Sequence, residues 1–307
     1  MAKSIGGKIA RILSVFFAAV LIMGCVFMFV GCESKKPRIS IKISFNDEEY
    51  NIEYTLYRNY YKRTVNHYLE LIEMKYFDGT VIHDYQSDRM VGGAFTYSDM
   101  ETSAYDELVA KDYDAATKTN GVVSLDNISV WTSTEHNDST ATNRLFGENG
   151  ANGFEVDGKD ALSNSFGALG TYTYVTKDMA QHTVNDIVTN IQVTGDRLND
   201  RGEFAWLDYY ANSVTSMFYI YTGSSTSTLD SNYCVFGVLA NDDAKDELNR
   251  LLDDIEAYEE ELEEDEALTD TVNVEIVDDI IDGGKYDVDF ATPTCKIVIE
   301  QIKVVKY

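Results

Sequence analysis

Proline is almost missing from this chain: Pro37 and Pro293 are the only two in 307 residues. So low a number argues against a disordered chain, and the length allows a sizeable core in one large domain or two ordinary ones. Basic residues are scarce as well, with 25 Lys and Arg against 52 Asp and Glu and a formal charge of −27 at pH 7. A surface of that sign repels phosphate backbones and argues against nucleic acid as a partner. The four histidines, His67, His83, His136 and His182, show no H-E-x-x-H or cysteine spacing for zinc. There is no Asp-x-Asp-x-Asp-Gly loop for calcium, no nucleophile elbow G-x-S-x-G and no phosphate-binding loop. The expectation is therefore no metal and no cofactor. Cysteine is limited to Cys25, Cys32, Cys234 and Cys295. The last two can pair in an exported protein or stand as buried thiols on strands, and sequence spacing does not decide between these.

Apolar residues are concentrated at the start. A basic opening, MAKSIGGKIAR, leads into ILSVFFAAVLIMGCVFMFVG and then Cys32. Residues 1–31 read as a targeting segment, and FVGC followed by ESKK looks like a bacterial lipoprotein cleavage box with Cys32 as the lipidated residue. Cys25 is the other candidate. An uncleaved signal-anchor helix is the alternative, because the run is long enough for the ~20 residues a bilayer span needs. Either reading places the remainder outside the cytoplasm, tethered to the membrane through residues 32–38. Without residues 1–31 the chain loses Lys3, Lys8 and Arg11 and no acid, so its charge moves from −27 to −30.

The body, 39–307, opens with ISIKISF, NDEE and YNIEYTLY, a strand, a turn and a returning strand. Val65, Tyr68, Leu69 and Ile72 then fall on one face of a helix that should end near Tyr76. Asp78-Gly79 marks a turn, and TVIHDY (80–85) reads as a β-branched strand. Residues 94–143 and 175–212 are polar and irregular and read as insertions, the first with a short helix around Tyr105 to Asp114. In the second, Met179, Val184, Ile187 and Ile191 recur near the helical period. Residues 242–266 form an acidic amphipathic helix with Leu248, Leu251, Ile255, Tyr258 and Leu262 on its apolar face. The last strand, CKIVIEQIKVVKY, should pair with the opening hairpin.

Several of these segments resemble the cyclophilin-type peptidyl-prolyl isomerases. TVNHYLEL, YFDGTVIHD and RMVGG match that family's T-V-x-N-F-x-x-L, Y-x-G-T-x-F-H-R and F-M-I-Q-G-G, with a one-residue gap between Val91 and Gly92. RLFGENGANGFE is similar to I-x-G-E-F-x-x-N-G, and NSFGALGTYTY to R-G-x-L-S-M-A. SVTSMFYIYTG is similar to G-S-Q-F-F-I-T, and TLDSNYCVFGVL to W-L-D-G-K-H-x-V-F-G-x-V. The resemblance implies a mostly β fold, a closed eight-stranded β-barrel capped by two helices. It also implies a proline-containing peptide or exported protein as partner.

A prolyl bond isomerises over a barrier near ~20 kcal/mol. An apolar socket for the ring and a hydrogen bond to the twisted amide lower it. Carried over by position, the socket is Met90, Phe218 or Tyr219, Leu229, and Tyr233 in place of the family's histidine. Met217 stands at a glutamine position and Thr228 at the tryptophan position. The arginine position is Asp84, and an ionised carboxylate has no proton to give. The resemblance leaves two expectations: efficient catalysis is lost, or Arg89 supplies the guanidinium while Asp84 holds it. The bland counterparts of the second are an Asp84–Arg89 ion pair filling the site and an Arg89 turned to solvent. The 21 tyrosines serve as barrel packing or as an aromatic surface for peptide or glycan contact.

Overall fold

The computed structural model describes residues 34–101, 107–114, 119–122, 145–146, 148–149, 162–172, 213–224, 233–277 and 285–307. Cys25, Cys32, Thr228, Leu229 and all of 175–212 lie outside these residues. The chain divides into two units, Met1–Ser34 and Lys35–Tyr307, and the second carries all of the described strands and helices.

The opening hairpin is β1 (Arg38–Phe45) and β2 (Glu48–Leu56), paired in register from Arg38↔Thr55 to Phe45↔Glu48. Ile39, Ile41, Ile43 and Phe45 on β1 and Tyr50, Ile52, Tyr54 and Leu56 on β2 alternate into the core. The turn Asn46-Asp47 takes φ of 47° and 66°, the left-handed pair that a two-residue hairpin requires and that these side chains tolerate. Helix α1 (Lys62–Glu73) follows and buries Val65, Tyr68, Leu69 and Ile72 as the spacing predicts. Strands β3 (Thr80–Val81), β4 (Asp84–Gln86), β5 (Arg89–Gly92) and β6 (Phe95–Tyr97) complete the first part.

The first insertion contributes β7 (Leu108–Asp114) and β8 (Thr119–Val122), which build a three-stranded sheet with β6. Of the helix predicted around Tyr105 to Asp114, the described part Leu108–Asp114 is a strand. Pairing of Thr96 with Val109 and burial of Leu108 and Lys111 decide it, tertiary contacts that local propensity does not report. The short pair β9 (Leu145–Phe146) and β11 (Ser213–Val214) flanks β10 (Leu169–Thr171) in sequence. Then come β12 (Phe218–Tyr221), β13 (Val235–Leu239) and helix α2 (Asp242–Glu261). Asn241 caps α2 by accepting the Ala244 amide at 2.9 Å, and Asp242 and Asp243 suit its positive end. Strands β14 (Thr269–Val277), β15 (Lys285–Pro293) and β16 (Ile297–Lys306) close the chain.

The main sheet has nine strands in the order β3-β16-β1-β2-β13-β10-β12-β5-β4. Every strand pair within it is antiparallel. Its two edge strands, β3 and β4, are separated only by Ile82 and His83. The Ile82 amide donates to Ile297 O and the His83 amide to Val91 O, both at about 3 Å. The sheet therefore curls until its first and last strands meet in one segment, with the largest core cluster inside and under the helices. The final strand pairs with β1, as the alternation of CKIVIEQIKVVKY predicts. Cys234 and Cys295 are free thiols, the first buried and the second half-buried.

Helix α1 lacks a side-chain cap of its own, since its N-cap is Tyr61. Glu148 supplies one from far along the chain: its buried carboxylate accepts the Thr64 amide at 2.9 Å. Burial pushes the Glu148 pKa up, while the Thr64 and Arg63 amides pull it back. Glu148→Ala is expected to cost about 1–2 kcal/mol, the upper range for a lost cap, read from urea denaturation.

Candidate functional site

Successive residues on β5 and β12 point to opposite faces, and that alternation sorts the candidate residues. Met90 and Phe218 lie in the inner core with Ile82, Ile220 and Ile299, Met90 having 0% exposure. Gly92 is on the same side, where a Cβ would stand 2.9 Å from Ile82 Cδ1. Met90 is sealed away from any peptide-facing surface. Val91, Met217 and Tyr219 belong to the other face, in a second cluster with Tyr172, Tyr221 and Val235. The ladder between β5 and β12 runs without interruption from Arg89↔Tyr221 to Gly92↔Phe218. Val91 and Gly92 are consecutive residues of this unbroken ladder, opposite Tyr219 and Phe218.

On this outer face three tyrosines meet. The Tyr172 and Tyr233 rings stack at 5.5 Å and 4°, and Tyr219 meets them edge-on at 6.3 and 6.1 Å. The Tyr219 ring lies across Gly170, where a Cβ would come within 2.2 Å of Cζ; only glycine leaves room for it. Its hydroxyl donates to Asn164 Oδ1 at 3.2 Å. The Arg89 guanidinium sits over the Tyr219 ring, 5.9 Å from its centroid. Tyr219 is fully buried by these neighbours, and burial drives its pKa far upward. Among the described residues, Tyr219 is thus enclosed by Tyr172, Tyr233, Asn164, Gly170 and Arg89.

The ion pair of Arg89 is with Asp88: Nε to Oδ1 is 2.8 Å and Nη2 to Oδ2 is 3.0 Å. That hydrogen-bonded carboxylate raises the guanidinium pKa. The expectation that Asp84 holds Arg89 is corrected by this pairing, which is local to the β4–β5 turn. Asp84 is engaged elsewhere and buried. Its Oδ2 accepts Gln86 Nε2 at 2.7 Å and its Oδ1 accepts the Ala291 amide at 3.1 Å.

Ala291 belongs to β15, and the hairpin β14–β15 is not among the elements expected from sequence. Its pairing, in register from Thr269↔Pro293 to Val277↔Lys285, has a signal in the alternation of TVNVEIV and YDVDF. This hairpin packs against β4. Thr292 Oγ1 donates to His83 O at 3.0 Å, and Phe290 lies 5.1 Å from the His83 ring and 5.3 Å from Phe95. His83, expected as a structural residue, is fully buried here, and burial pulls its pKa down to about 3. A folded pKa below the unfolded value gives stability that is present above pH ~6.5 and lost as pH falls toward 3. The expected loss from this group is about 2 kcal/mol at pH 5, measured as the difference in pH dependence between wild type and His83→Leu.

Among the described residues no cluster of His, Cys, Asp and Glu can hold a metal ion. The ring on this face that reaches solvent is Tyr233, which is half-buried, while Tyr172 behind it is buried. The face's one guanidinium lies over an aromatic ring but is neutralised by Asp88.

A family model described as cyclophilin type peptidyl-prolyl cis-trans isomerase/CLD matches residues 40–278. Among solved structures, a Cryptosporidium parvum cyclophilin type peptidyl-prolyl cis-trans isomerase is 12% identical over 89% of this chain and 99% of its own, with a TM-score of 0.41. The same isomerase in the presence of the dipeptide Ala-Pro gives 12%, 87%, 99% and 0.36. The Mimivirus cyclophilin gives 13%, 90%, 93% and 0.42. No curated protein matches the chain.

Proposed function

Because the chain belongs to the cyclophilin-type peptidyl-prolyl cis-trans isomerase family, we propose that it is a cell-surface member whose isomerase catalysis is weak or lost. The curled sheet is read as the family's eight-stranded barrel, β3 and β4 counting as one strand. The observation that carries the functional reading is Asp84: at the family's arginine position stands a buried carboxylate that accepts the Ala291 amide of a covering hairpin. Counted back from Gly92-Gly93, Arg89 takes the place of the methionine of F-M-I-Q-G-G and Val91 that of its glutamine. At the positions of the family's arginine and glutamine stand Asp84 and Val91, which offer no side-chain donor when Asp84 is ionised, and Tyr219 is fully buried among its neighbours.

The segment 1–31 and Cys32 support a lipoprotein tethered outside the cytoplasm. Its role there is foldase-like or, in the second reading, that of a non-catalytic module holding a proline-containing segment of an exported protein. The half-buried Tyr233 ring, backed by Tyr172, favours that second reading, since proline packs on flat aromatic faces. A protease-coupled proline-peptide isomerisation assay on the full chain tests the proposal. A rate equal to the uncatalysed one is expected; acceleration typical of an efficient enzyme would overturn it.

A further inference from the structure

In a chain with 52 acids and 25 basic residues, one face of the described residues is basic and aromatic. No Asp or Glu occurs between Ser34 and Asn46 or between Tyr54 and Leu69, and the fold brings the ends of these stretches together. The Asn59 amide donates to Lys35 O at 3.2 Å and the Leu56 amide to Pro37 O at 2.8 Å. Lys36 Nζ stands 4.5 Å above the Tyr57 ring, and Tyr57 and Tyr60 are 5.4 Å apart. Lys35, Lys36 and Lys62 are exposed; Tyr57 and Tyr60 are half-buried. Lys62 and Arg63 open α1, where the helix dipole disfavours positive charge and no acid stands in the first turn. Among the acids near this face, Glu53 pairs with Arg38 at 3.9 Å, the buried Glu148 carboxylate accepts the Thr64 amide of α1 at 2.9 Å, and Glu33 lies two residues before Lys35.

We infer that this face, formed by Lys35, Lys36, Tyr57, Tyr60 and Lys62, docks on an anionic lipid headgroup surface. The inference rests on the anchored reading. Only Cys32, Glu33 and Ser34 separate the apolar run from Lys35, so a tethered domain is confined to within reach of the headgroups. Positive side chains beside anionic lipid gain energy, and tyrosine rings favour the headgroup level. A chain that is otherwise strongly acidic is repelled by such a membrane on its other faces, so docking by this one fixes its orientation.

The test uses the full chain reconstituted into vesicles of phosphatidylglycerol or of phosphatidylcholine, with hydroxyl-radical labelling of Tyr57 and Tyr60 measured against exposed Met100. Labelling of the two tyrosines should fall by about fivefold in the anionic vesicles alone, the factor that ~1 kcal/mol gives. It should recover at about 1 M salt, where the Debye length is ~3 Å. The variant Lys35→Glu/Lys36→Glu/Lys62→Glu should show no fall. Equal labelling in both lipids, or a fall that survives the triple reversal, overturns the inference. So does a fall without vesicles at high protein concentration, which would assign the face to a second copy. Flotation with vesicles at ~1 M salt reports the anchor separately. A chain that leaves the vesicles there yet shows the salt-sensitive fall at low salt supports the face and refutes the anchor.

Discussion

Asp84→Arg, which puts arginine where the resemblance implies one, is expected to lower stability by about 3–5 kcal/mol and to bring no isomerase activity. The reasoning starts from burial: Asp84 is 3% exposed, and its two oxygens are used by Gln86 Nε2 and the Ala291 amide. A guanidinium placed there can accept neither bond. It leaves the Ala291 amide facing a donor and adds an uncompensated buried charge, the most costly class of single substitution. Tyr172 lies close enough for Asp84 to raise its pKa further, after the larger effect of burial, so a cation in that position would also reverse the local field. Urea denaturation reads the stability and the proline-peptide assay the activity. A folded, unperturbed Asp84→Arg that accelerates isomerisation would mean that the site is open and only its arginine is missing.

Phe290→Ala is the second large effect, a loss of about 3–5 kcal/mol that falls on the hairpin. The ring has no exposure and sits against His83 and Phe95 at 5.1 and 5.3 Å, so its removal leaves a cavity where β15 meets the sheet. The hairpin β14–β15 forms its own two-stranded sheet, so little else replaces that contact. Hydrogen exchange should show β14 and β15 amides losing protection while the β1–β16 ladder keeps its own. Equal loss in both regions would make the hairpin an integral part of the barrel core.

The parts of the fold with a strong period are legible in the sequence. The alternation of ISIKISF and YNIEYTLY specifies both partner and inward face, and Val65, Tyr68, Leu69 and Ile72 are buried on α1 at the predicted spacing. The segments at His83 and Phe236 belong to one sheet but are not neighbours in it, since β10, β12 and β5 lie between β13 and β4; only the resemblance joins them at the level of sequence. The strand Leu108–Asp114 reads locally as a helix because its partner, β6, lies across a polar stretch that local patterning cannot join.

At the site, residue types are legible and their facing is not. A one-residue change in register turns every side chain of a strand to the opposite face, and the position of the gap decides whether Met90 or Arg89 faces out. Arg89 stands next to Asp88 in sequence, so that pairing has a local signal, whereas the use of Asp84 depends on a hairpin more than two hundred residues away, at |i−j| of 207. Nothing near Asp84 in the sequence announces that contact.

The central claim is that Asp84, where the resemblance implies an arginine, anchors β15. The most direct test is hydrogen exchange at one amide, Ala291, in wild type and in Asp84→Ala. The account predicts that Ala291 is protected in the wild-type protein and loses protection in the variant, while amides of the β1–β16 ladder stay unchanged. An Ala291 amide that exchanges as freely as an unbonded one in the wild-type chain, with the ladder intact, would contradict it.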